Sequence, residues 1–146
     1  MRIASPLLLC LLLIGCQSHP PAVPKDDVDS NCPKVLEQSR AAGIDYVPTL
    51  RRAARGDEAA LAQLFQLTGS DKLDADAQQC HIEALAELLN RLGDLEFATD
   101  LANESADTRR AVVNGLIIEL ESRPTVELSR QAFADRYPHT AATLPQ

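Results

Sequence analysis

Between residues 31 and 138 helix signals repeat along this chain and strand signals do not. Leu61, Leu64, Phe65 and Thr68 fall at i, i+3, i+4 and i+7. That spacing puts all four on one side only if the backbone is helical. Ile82, Leu85, Leu89 and Leu92 repeat the pattern, widened by Ala86 and Leu88, while Glu83, Glu87 and Asn90 take the opposite side. Val112, Val113, Leu116, Ile117 and Leu120 make a third apolar face. Only five residues are aromatic and none is Trp, so the core must be built from Leu, Ala, Val and Ile. Leu and Ala are also strong helix formers.

Starts and stops divide the pattern. Asn31 is a cap for a first helix with Pro33 in its first turn, running to about Ala42 and stopped by Gly43. Asp45 precedes a second, short helix with Pro48 near its start and Leu50, Ala53 and Ala54 inward; Gly56 closes it. Asp57 caps a third, from Glu58 to about Leu67, and residues 68–71 read as a loop. Asp74 caps the longest helix, which Gly93 ends; Asp94 opens a shorter one through Phe97 and Leu101. Gly56-Asp57 and Gly93-Asp94 read as one device, a left-handed stop followed by an N-cap. Ser105 caps the next helix, Pro124 breaks the chain, and Thr125 starts a last helix carrying Val126, Leu128, Ala132 and Phe133. From Pro138 the end reads as frayed.

The expectation is an all-α fold of about seven short helices stacked as antiparallel hairpins. The helical domain spans 31–138 and a disordered tail spans 139–146. Paired helices with tight turns resemble the hairpin stack of HEAT-like repeats. Asp107-Thr108-Arg109-Arg110-Ala111-Val112, within Leu101 to Leu120, resembles the opening of a HEAT second helix. That resemblance covers about one unit and implies a solenoid fragment with a concave face for protein ligands. An orthogonal bundle is the alternative architecture.

The amino terminus has a different character. Arg2 is a short positive region, and Leu7 to Ile14 is apolar apart from Cys10. The run is shorter than the roughly 20 residues that span a bilayer, so it reads as a signal peptide, residues 1–15. Leu13-Ile14-Gly15-Cys16 resembles the lipobox of bacterial lipoproteins. The resemblance implies cleavage before Cys16, a diacylglyceryl group on its sulfur with fatty acid carried on this residue, and an envelope location. Gln17 stands where Asp would favour the inner membrane, so the resemblance implies the outer membrane, facing the periplasm. Residues 16–30 form a lipidated, Pro-rich linker of about 40 Å at most. An ordinary secretory signal, leaving a free Cys16 thiol, is the alternative.

An exported chain keeps disulfides. Cys10 leaves with the signal and Cys16 carries lipid, so Cys32 and Cys80 are expected to bridge. A metal pair of these thiols with His81 lacks zinc-site spacing.

Removing residues 1–15 leaves 131 residues with 13 basic and 21 acidic side chains, a net charge of −8. Such acidity argues against nucleic acid as a partner. It leaves the lipid to hold the chain on the membrane. No phosphate loop, GxSxG elbow or HExxH pair is present. Asp71, Asp74 and Asp76 lack EF-hand spacing, and Asp74 reads as a cap. His19 and His139 lie outside the helical core, His81 at the margin of a stripe, and Ser70 and Ser105 have no adjacent base. No catalytic residue, metal ligand or cofactor beyond the lipid is expected. Arg51, Arg52, Arg109 and Arg110 are candidate contacts for an acidic partner, or a solvated face. The leading functional expectation is a non-catalytic adaptor or assembly factor for another envelope protein. The alternatives are an immunity-type inhibitor of an envelope toxin and a small-ligand binder or hydrolase.

Overall fold

A computed structural model describes residues 32–121 and 124–145. The signal peptide, Cys16, the linker and the Asn31 cap lie outside the described residues. Among the described residues the chain is all-α. Its helices are α1 (Pro33–Ala41), α2 (Tyr46–Ala53), α3 (Glu58–Thr68), α4 (Ala75–Leu92), α5 (Asp94–Leu101), α6 (Ala106–Leu120), α7 (Val126–Arg136) and α8 (Pro138–Ala142).

Four sequence caps work as side-chain caps. Asp57, Asp74, Ser105 and Thr125 accept hydrogen bonds from the N–H groups of Ala60, Ala77, Thr108 and Leu128. Each satisfies an N–H that the helix itself leaves unpaired, for about 1 kcal/mol. Asp45 precedes α2 without such a bond. Thr68 ends α3 instead of opening a loop.

The three stripes become one interior. α4 packs on α1, α3, α5 and α6, so it is the axis of the molecule. Leu61, Leu64, Leu85, Leu88, Leu89, Leu101 and Leu116 are buried around it, with Phe65 and Phe97 meeting edge to face at 5.0 Å. Burying one such side chain contributes about 1.5–3 kcal/mol. The leucine core therefore outweighs any surface ion pair, each near 0–1 kcal/mol.

Two further expectations need correction. The chain beyond Pro138 is not a frayed tail: it forms α8, packed on α5 and α7, with Thr140 fully buried. Asp94 is not an N-cap of the helix it opens, because Gly93 holds that position and Asp94 is its first residue. Its carboxylate instead accepts from the His139 and Thr140 N–H groups at 2.8 Å each, capping α8 from another helix. On α7, Val126 and Leu128 face solvent, while Ser129 and Phe133 are buried.

Candidate interaction surface

Cys32 and Cys80 are joined as a disulfide, with Cα atoms 6.3 Å apart. The bridge ties the N-cap of α1 to the second turn of α4. His81, next in sequence, turns away from the sulfurs into the core. Its Nδ1 lies 2.7 Å from the Tyr46 hydroxyl. Its Nε2 lies 3.0 Å from the Leu64 carbonyl and 2.9 Å from Thr68 Oγ1. A carbonyl only accepts, so the proton is assigned to Nε2, and Nδ1 accepts from Tyr46. Burial holds the His81 pKa down to about 4, against the partial opposition of the Leu64 carbonyl, and burial pushes the Tyr46 phenol up. Both ring nitrogens are engaged by protein, so this imidazole pins α2, α3 and α4 together and offers no lone pair to a ligand.

Asp74 and Asp76, at the start of α4, are also engaged with protein. Asp74 caps that helix, and the Lys34 ammonium lies against Asp76 and 3.7 Å from Asp74. No group of three or more His, Cys, Asp or Glu among the described residues is arranged to hold a metal ion. Ser105 caps α6, and the Ser70 hydroxyl donates to the Leu67 carbonyl at 2.7 Å.

The four arginines do not form one patch. Arg51 and Arg52 lie on α2 and Arg109 and Arg110 on α6, helices that share no main packing contact. Arg109 points inward: its Nε donates to the Thr143 carbonyl at 2.9 Å and its Nη1 to the Glu104 carbonyl at 2.6 Å. It stitches the chain after α8 to the loop before α6. Arg110 pairs with Asp107 one turn away at 2.7 Å, and Arg52 lies 3.7 Å from Asp57.

The exposed surface carries two features that sequence reasoning missed. Ile118, Val126 and Leu128 are 73%, 67% and 55% exposed, and they cluster in sequence at the α6–α7 junction. Beside Leu128 runs a groove of about 480 Å³ lined by Ile117, Phe133, Ala134, Ala141 and Leu144, with Glu127 and Arg130 among its polar residues. Single exposed apolar side chains are ordinary on protein surfaces; here three fall within eleven positions, and one of them lines the groove. Val126 and Leu128 were visible as apolar, but their periodicity was weak, and that weakness was the available signal. The second feature is acidic. The Asp100 carboxyl is pushed up by burial and then by the charges of Glu58 and Glu96, which brings acids of α3 and α5 into one field.

The chain matches no family model, no curated protein and no solved structure.

Proposed function

We propose that the chain is a lipid-anchored envelope protein whose helical domain serves as a non-catalytic contact module for another envelope protein. The observation that carries this reading is Leu13-Ile14-Gly15-Cys16, which closes the apolar run of residues 7–14 and ends on the cysteine. The Cys32–Cys80 bridge supports it, because such bridges persist outside the reducing cytosol. The apolar side chains at the α6–α7 junction support a protein partner, since buried apolar side chains anchor interfaces. Mass spectrometry of the processed amino terminus tests the anchor: a diacylglyceryl group on Cys16 is expected, and an intact unmodified Met1 end refutes it. Crosslinking in native membranes tests the partner. Leu128→Asp is expected to abolish the crosslink without loss of helicity, and an unchanged crosslink excludes this surface.

The crowding of Glu58, Glu96 and Asp100 favours a second reading, inhibition of a basic envelope toxin. Protection by this chain against the product of an adjacent effector gene is its test.

A further inference from the structure

Helix α1 is fastened at both ends and thinly in between. At its far end the chain passes through Gly43, at φ 81°, with nothing within 4 Å of where a Cβ would stand. Glycine accepts the dihedral changes that a swing about this turn needs. At its near end Cys32 is bonded to Cys80 of α4. Along its length α1 buries only Val35 and Ser39. Leu36 packs half-buried against the core, and the other ties of α1 to α4 are polar and exposed. Gln38 Nε2 donates to Asp74 Oδ2 at 2.8 Å, and Gln38 Oε1 accepts from the Asp74 N–H at 2.7 Å. Lys34 adds its contacts with Asp74 and Asp76. Exposed ties of this kind hold weakly, and a nine-residue helix without its packing surface does not persist in water.

We propose that α1 is a detachable strap and that the Cys32–Cys80 bridge is its latch. Cutting the bridge lets the strap swing about Gly43 and uncovers the faces of α2 and α4 on which it packs. The reaction is thiol–disulfide exchange with a dithiol donor. One donor thiolate attacks a bridge sulfur and forms a mixed disulfide. The second donor thiol then closes the donor's own disulfide. Two electrons and two protons pass to the chain, leaving free thiols at Cys32 and Cys80. Both cysteines are only half-buried, so the donor has access. Release also adds residues 32–44 to the leader, roughly 40 Å of extra reach when extended. That consequence rests on the lipid-tether reading above; release of the strap does not.

Amide hydrogen exchange on the purified full chain tests the latch, with dithiothreitol as the reductant and Cys32→Ala/Cys80→Ala as the permanently open form. Peptides of α1 are expected to exchange at close to the unprotected rate in both open forms, while those of α4 and α6 lose no more than the roughly 1,000-fold that the fall in global stability brings and keep the rest of their protection. Unchanged protection of α1 after reduction overturns the proposal, because the clasp alone then holds. Equal loss of protection in α1, α4 and α6 also overturns it, because the bridge then supports the whole fold. The readout involves no membrane, so a failed anchor and a failed latch give different results.

Discussion

At the scale of single residues, His81 is the most consequential side chain in the interior. A move from 6.5 to about 4 on folding corresponds to about 3 kcal/mol of coupling to pH. The unfolded chain protonates this histidine below its ordinary pKa, and the folded chain resists until about pH 4. Stability is therefore full above pH 6.5, falls as the pH drops to about 4, and levels off below that. Asp74 and Asp94 are held below the ordinary carboxylate range, so their contributions fade at lower pH still. In Asp74 the Ala77 N–H is the main cause; in Asp94 bonds from Thr140 and His139 outweigh burial, which pushes the other way. Urea titrations at pH 7 and pH 4.5 are expected to differ by about 2–3 kcal/mol more in the natural protein than in His81→Gln. An equal pH dependence in both would show that His81 is not sealed. The sequence placed His81 only at the edge of a stripe. Its partners come from Tyr46 and Thr68, 35 and 13 positions away, and spacing along one helix carries no record of them.

At the scale of helices, caps were legible when donor and acceptor lie within four residues, and illegible when they do not. Asp94 shows the second case, since it caps α8 across 45 residues. Asp94→Ala is expected to cost about 1–2 kcal/mol, and limited proteolysis should then clip α8 before the rest of the domain. Close helix contacts were similarly hidden. Gly115 of α6 faces Ile82 of α4, and a Cβ there would lie 2.5 Å from Ile82 Cδ1. Gly115→Leu is expected to cost about 1–3 kcal/mol by overpacking. Thermal melts should show part of that loss restored in Gly115→Leu/Ile82→Ala. A glycine inside a helix pattern reads as a weak residue until the neighbouring helix is in place. The exposure of Val126 and Leu128 has the same origin: α7 meets the core through Phe133, and one helix's composition does not select its contact face.

At the scale of the molecule, the disulfide closes a separation of 48 residues, which the chain-entropy model converts to about 4 kcal/mol. That is comparable to two buried leucines. Denaturant titration of the reduced protein is expected to show that loss while a folded state remains populated, since the buried leucines of α3, α4, α5 and α6 pack on one another. A loss near zero would mean that the unfolded chain is already as compact without it. Residue order alone set the helical class, most element boundaries and the identity of the paired cysteines. Those depend on interactions within a turn or two, or on the small number of thiols available to pair. The role of α4 as axis, the burial of His81, the existence of α8 and the scattering of the arginines came from packing. They depend on contacts between residues far apart in the chain, which form only once the helices share one interior.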